Sequence, residues 1–387
     1  MLPIGRQAPD IDRMPEVPVN GKVLQWARAI RGLKIDDAAD LLAIAPDELR
    51  EYESGARKPL VGLLRLMSSK YQVNFTSLLM PEPLPIEKPP TDHRTRADAK
   101  PLTIGTFLAI EEVAEALDAF DDIASELPHV IPTLKIGEAR LEEDPEEVAA
   151  RERKKFAVSI DEQRQWRSLA RARIEWRKRI ERRGVFTYML PMPEDELSGF
   201  SLLRNGLGAI CVNDNETTDG AKIFTLFHEY CHLLIRQTGI SDENDSSRIE
   251  RYCNRFAAGF LIPKNPLLGS VRNISLPYEF SDVDVKKLSE EYRVSNRAMA
   301  LRLESLELAP KGFYRRRTGP WDLPHPPQLL AENAQPDYIR MRLRKIGNLH
   351  AETILDAVTH NAINSFDASE LLGIKYSSFG KLREALG

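Results

Sequence analysis

Residues 222–235 read KIFTLFHEYCHLLI, and the two histidines four apart in this stretch, His228 and His232, decide how the rest of the chain is read. On a helix, residues four apart lie roughly 40° apart in projection and one turn apart along the axis. Both imidazoles can therefore reach one ion. Glu229 stands beside that stripe, placed to take a proton from a water activated there. On the same wheel Ile223, Leu226, Phe227, Tyr230, Leu233 and Leu234 cover one broad face, while Thr225, His228, Glu229 and His232 share the other. A helix this apolar belongs in a core, and its polar stripe is then the metal stripe. The bland alternative is a surface helix with incidental histidines.

A catalytic zinc site needs a third protein ligand and an open position. Downstream, RIERYCNRFAAGFLIP (248–263) reads as a second amphipathic helix with Ile249, Cys253, Phe256 and Phe260 on its core side. Glu250 borders that face one turn before Asn254 and can lean across the helix pair. Asp242, Glu243 and Asp245 are nearer His232 in sequence, but they fall in a polar, loop-like stretch that holds ligands less rigidly. The expected set is His228, His232 and Glu250 on zinc, with manganese as the other metal considered, and Glu229 as general base. A salt-bridge or capping role is the competing reading of Glu250. Tyr230 and Tyr252 are near in sequence, but Tyr230 falls on the apolar face, so neither is assigned to the oxyanion.

TLFHEYCHLLI followed by ERYCNRFAAGFLIP resembles the ImmA/IrrE-type metallopeptidases. In that family a strand ending in Asn, here AICVND, precedes the HExxH helix. A Glu four residues before the Asn of an ExxxNxFAA-like motif is its third ligand, and Glu250 and Asn254 match those positions. LSEEYRVSNRAMALRLESL (288–306) resembles the helical element that follows the peptidase motif. The resemblance covers roughly residues 104 to 310. It implies a zincin-like body with a small sheet and site-limited cleavage of a partner protein, usually a helix-turn-helix repressor, to switch stress-response or mobile-element genes.

Working outward, VFTYMLPM, GFSLL and GAICVND after Gly184 are strand candidates bounded by Pro and Gly. Helices are expected from about Ser246 to Leu261, stopped by Pro263, and over Asp282 to Leu308 with a break at VSN. Residues 164–183 are dense in arginine. Trp166, Leu169, Ile174, Trp176 and Ile180 recur through them at helical spacing, so a surface helix with a solvated basic side is the simplest reading. A nucleic-acid face here, as in a DNA- or RNA-repair accessory, is the weaker alternative.

At about 150 residues per domain, 387 residues give two to three domains. The chain is 42% hydrophobic and 29% charged, with 54 basic and 58 acidic residues, so bulk charge excludes indiscriminate nucleic-acid binding. No apolar stretch is long enough for a membrane span, and the amino terminus lacks an apolar signal core, so a cytoplasmic location without membrane contact is expected. Three cysteines (Cys211, Cys231, Cys253) without CxxC spacing point to buried thiols in a reducing compartment.

The expected layout is a loose arm at 1–20, an all-helical unit at 21–80, a Pro-rich linker at 81–103, the peptidase-like body at 104–310, a second Pro-rich linker at 311–336 and a helical tail at 337–387. The fold class is α+β, mainly α. Residues 24–73 resemble an XRE-type helix-turn-helix of the Cro and lambda-repressor kind, with AADLLAI and PDELREYESG as the paired helices. Such units fused to this peptidase type carry a strap with a segment like Asp92-His93-Arg94-Thr95. Yet Pro46, Asp47, Glu48 and Glu51 stand where DNA readers commonly place Arg, Lys, Asn or Gln. Nine Lys/Arg against seven Asp/Glu over Gly21–Met80 leave only +2. Arg28, Arg31, Arg57 and Lys58 are the residues that could touch phosphates. The alternatives are docking of a partner repressor or packing on the peptidase body.

The tail (350–386) has the outline of helix, turn at Leu372–Gly373, and helix, with Lys375, Lys381 and Arg383 as its basic residues. A packing or partner surface is favoured there over nucleic-acid contact. His350 and His360 lie outside metal spacing and read as structural or exposed. The competing function for the whole chain is a DNA-binding regulator or antitoxin-like protein whose peptidase fold serves as a sensor or interaction surface.

Overall fold

The computed structural model describes residues 15–83 (apart from 30, 32, 72 and 74), 104–193, 196–236, 243–272, 280–317 and 337–387, without the side chains of 104 and 243–246. Residues 1–14, most of both Pro-rich linkers with Asp92–Thr95, Gly32 and Asp242 lie outside that set, as do the side chains of Glu243 and Asp245. The described residues form two compact units, one before residue 109 and one from 109 to 387. Among them no helix is long and apolar enough to cross a membrane.

The smaller unit is built from α1 (Gly21–Ala29), α2 (Ile35–Leu42), α3 (Pro46–Ser54) and α4 (Val61–Tyr71). A three-residue turn joins α2 to α3, with Ala43 in the left-handed region, and Pro46 opens α3 with its fixed φ and no amide to satisfy. Val23, Leu24, Ala27, Leu42, Leu49, Leu64 and Met67 make its core. Residues 15–20, expected in a loose arm, are tied down. Val17 donates to the carbonyl of Pro59, Val61 donates to that of Pro15, and Glu16 bridges Leu60.

The larger unit is mainly helical around one small sheet. It takes in α5 (Ile104–Glu126) from residue 109, then α6 (Pro145–Phe156), α7 (Ile160–Gln165) and α8 (Leu169–Glu181). Strands β1 (Val185–Leu190), β2 (Gly199–Arg204) and β3 (Leu207–Asn213) follow, then α9 (Asp219–Ile235) and α10 (Glu243–Leu261). After these come α11 (Lys264–Val271), α12 (Asp282–Tyr292), α13 (Asn296–Ser305), α14 (Tyr338–Thr359), α15 (Ser365–Leu372) and α16 (Phe379–Leu386). The sheet order is β1-β3-β2, with β1 parallel and β2 antiparallel to β3. Arg204 pairs with Leu207 across a two-residue turn, Asn205-Gly206, in which both residues have positive φ. That is the chemistry a tight hairpin between right-twisted strands demands. All of β1 and β3 is buried, so these strands read as apolar runs rather than clean alternation.

Aromatic rings fill the core where α6, α8, α9 and α10 meet. Trp176 lies 4.9 Å from Trp166 and 5.0 Å from Phe227, and Phe227 stacks on Phe260 at 4.1 Å. The basic run of 164–183 divides: Arg167, Arg171, Lys178 and Arg182 are exposed, the solvated basic side expected of a surface helix, but two other arginines turn inwards. Arg173 and Arg177 are buried. Arg173 pairs with Asp219 at 2.6 Å, and Arg177 donates to the Thr187 hydroxyl at 2.7 Å and to the carbonyl of Arg344. Ile174 is instead on the outside, 39% exposed. These two arginines tie α8 to other elements of the core, so they form neither a solvated stripe nor a nucleic-acid face.

The carboxyl-terminal helices belong to this same unit, with α14 packed along β1. His350 is buried there, its Nδ1 3.0 Å from the Tyr188 hydroxyl, while His360 is exposed. The three cysteines are buried and unpaired.

Candidate metal centre

The Thr218 hydroxyl opens α9 by accepting from the amide of Ala221 at 3.1 Å, and nearly the whole helix is buried against α8, α10 and the sheet. Its one polar stripe faces α10. There His228 Nε2 lies 3.2 Å from Glu250 Oε2, His232 Nε2 lies 3.3 Å from Glu250 Oε1, and the two Nε2 atoms are 3.1 Å apart. One ligand atom from each of the three residues falls within 4.8 Å of the others.

Behind this triad, His228 Nδ1 sits 3.0 Å from Asn254 Oδ1. An amide oxygen only accepts, so Nδ1 carries the proton and Nε2 turns its lone pair towards His232 and Glu250. A lone pair directed at other acceptors is unfavourable unless a cation lies among them. Two imidazole nitrogens and a carboxylate are also the donor set of hydrolytic zinc sites, so the residues present fit a divalent metal.

The electrostatics agree. Burial by itself would raise the Glu250 carboxyl, but the His228 and His232 imidazoles that face it hold it far below the usual carboxylate range. Burial would likewise lower His232. The neighbouring Cys253 thiol, Glu250 and Glu229 outweigh that and raise it well above its ordinary value. Both shifts run against burial and favour positive charge beside the Glu250 carboxylate.

Glu229, next in sequence to His228, points to the other side of the stripe. It is 3% exposed, and Ser201 Oγ of β2 donates to its Oε2 at 3.1 Å. Tyr230 faces away from the centre and donates to Glu152 at 3.1 Å, and Tyr252 is buried. The structure thus brings together His228, Glu229, His232 and Glu250. Ser201 is a neighbour that sequence reading missed, because a lone serine in a short strand has no diagnostic spacing.

The four residues expected to touch phosphates lie in the smaller unit and do not form a basic patch. Arg28 is half-buried in an ion pair with Glu53, its Nε 2.6 Å from Oε1. Arg31 is 2% exposed and donates to the carbonyl of Tyr71. Neither is a surface cation, which corrects their assignment as phosphate contacts. Arg57 is half-exposed, 3.0 Å from Glu48 and stacked over the Tyr52 ring, and Lys58 is exposed.

A histidine, histidine, glutamate cluster with a buried glutamate beside it is the arrangement of a metallopeptidase-type centre. The family model described as Peptidase_M78, IrrE N-terminal-like domain, matches residues 180–304, a stretch that holds all four of these residues. The match supports an ImmA/IrrE-type, peptidase-like domain within the chain. A search of the curated proteins finds no match.

Proposed function

We propose that this protein is a zinc-dependent regulatory endopeptidase that cleaves a partner protein, a helix-turn-helix transcriptional repressor, to control stress-response or mobile-element genes. The observation that carries the reading is the convergence of His228, His232 and Glu250 with Glu229 alongside, inside the matched domain. When bound, zinc, or manganese in its place, would act as a Lewis acid on the scissile carbonyl and the attacking water.

The chain's own residues supply the rest. His228 Nε2, His232 Nε2 and the Glu250 carboxylate hold the metal, and Asn254 fixes the ring of His228. Glu229 takes a proton from the attacking water and returns it to the amine that leaves. Water thereby adds across the peptide bond, a C–O bond forming as the C–N bond breaks.

The surface chemistry of the smaller unit supports docking of a protein rather than reading of DNA. Asp36 and Asp47 are 76% and 93% exposed, and Arg50, within reach of both, is occupied by them. Acidic side chains on that face repel phosphates and suit a basic partner.

The test is to incubate the zinc-loaded protein with a helix-turn-helix repressor encoded beside its gene and follow the repressor by mass spectrometry. The expected result is cleavage at one bond, absent with Glu229→Gln. Regulation that is unchanged in a Glu229→Gln strain would overturn the reading in favour of a non-enzymatic regulator.

A further inference from the structure

We infer that Ser201 is a positioning residue for Glu229, fixing which carboxylate oxygen serves as the base; this rests on the general-base reading above. The Ser201 hydroxyl donates to Glu229 Oε2 at 3.1 Å. That is the one hydrogen bond made by this carboxylate among the described residues, and the group is 3% exposed. A carboxylate held at one oxygen loses its freedom to rotate and presents the other in a fixed direction.

The two oxygens then have separate tasks. Oε2 accepts from Ser201 whether or not the group carries a proton, because a carboxylic acid keeps one acceptor oxygen. Oε1 takes the proton from water and gives it to the departing amine nitrogen. Ser201 keeps its own proton throughout, so the bond survives every stage of the reaction and costs no rearrangement.

The fold is built to make this contact. Ser201 and Gly199 lie two apart on β2 and so face the same side of the sheet, towards α9. A Cβ added to Gly199 would come within 2.6 Å of Thr225 Cγ2, 2.7 Å of the Cys211 carbonyl oxygen and 3.4 Å of Glu229 Cγ. The absence of a side chain there lets the strand lie against α9 at the level of Glu229, and the next inward residue is the serine. The hairpin at Asn205-Gly206 fixes the register that places Ser201 opposite Ile210.

Acetohydroxamate is the probe, because it chelates a metal through two oxygens and gives its hydroxyl proton to the adjacent base. Its affinity for the zinc-loaded full chain is measured by calorimetry beside zinc stoichiometry. Ser201→Ala is expected to keep its zinc and bind the probe roughly tenfold more weakly, the scale of one hydrogen bond to a charged group. Ser201→Thr, which keeps the hydroxyl, is expected to restore it. Wild-type affinity in Ser201→Ala, alongside weakened binding in Glu229→Gln, would overturn the role of Ser201 alone. Unchanged affinity in Glu229→Gln would remove the general-base reading and this inference with it. Loss of zinc from Ser201→Ala would make the residue merely structural and also overturn the inference.

Discussion

The Nδ1 of His228 lies 3.0 Å from the Oδ1 of Asn254, across the contact between the two helices that bear the metal-ligand candidates. The asparagine is on the helix of Glu250, one turn further on, so a single helix supplies both a ligand and the group that orients another. Outer partners of this kind set ring direction and raise ligand basicity. Asn254→Ala is therefore expected to weaken zinc binding roughly 10- to 100-fold while the protein stays folded. Competition against a chromophoric chelator measures this, and wild-type affinity in the variant would contradict the orienting role.

His350 gives the larger unit a pH dependence of defined sign. Burial, and then the charge of Arg342, push its imidazole down to about 3 from an ordinary 6.5. Above pH 6.5 the ring is neutral both folded and unfolded. Between pH 6.5 and about 3 the unfolded chain takes up a proton that the folded chain excludes, so stability falls as pH falls, by about 1.4 kcal/mol per unit. From pH 6.5 to 4.5 this single group would cost about 3 kcal/mol. Urea unfolding of the wild type is expected to show that loss and His350→Gln to show a smaller one, although the variant starts less stable at pH 7. Equal acid slopes would contradict the assignment.

Arg28 tests whether the smaller unit's basic residues serve the surface or the core. Its guanidinium and Glu53 are 12% and 6% exposed, and two nitrogens engage both carboxylate oxygens, at 2.6 and 2.8 Å. Removing one member of such a half-buried pair leaves the other charge without its partner, at a cost of about 1–3 kcal/mol. Arg28→Ala is expected to lower the stability of that unit by this amount, whereas Arg57→Ala, with a half-exposed partner, should change it by less than about 1 kcal/mol. Denaturant melts that found the two variants alike would count against the inward-turned pair.

Much of the centre is legible in the sequence because its geometry is local. His228 and His232 are one helical turn apart, and Glu250 and Asn254 repeat that spacing on the next helix. The three strands and the break between α12 and α13 at Arg293–Ser295 are also marked by local patterning and turn residues. What the sequence hides depends on side-chain direction and on distant partners. Arg173 and Arg177 look like surface cations until Asp219 and Thr187 are placed beside them. Arg28 and Arg31 mislead for the same reason, since a long basic side chain can turn inwards wherever an acid or a carbonyl awaits it. The docking of α14 on β1 joins residues more than a hundred and fifty positions apart, such as Tyr188 and His350. The Asn205-Gly206 turn was readable in principle, because that dipeptide is a strong hairpin signal between apolar strands.

The metal content of the purified protein tests the central claim most directly. Elemental analysis of the wild type is expected to find one zinc or manganese per chain. Glu229→Gln should retain it, because that residue is a base and not a ligand, while His228→Ala should lose it. A wild-type protein without stoichiometric divalent metal, or a His228→Ala variant that holds metal as tightly as the wild type, would contradict the account.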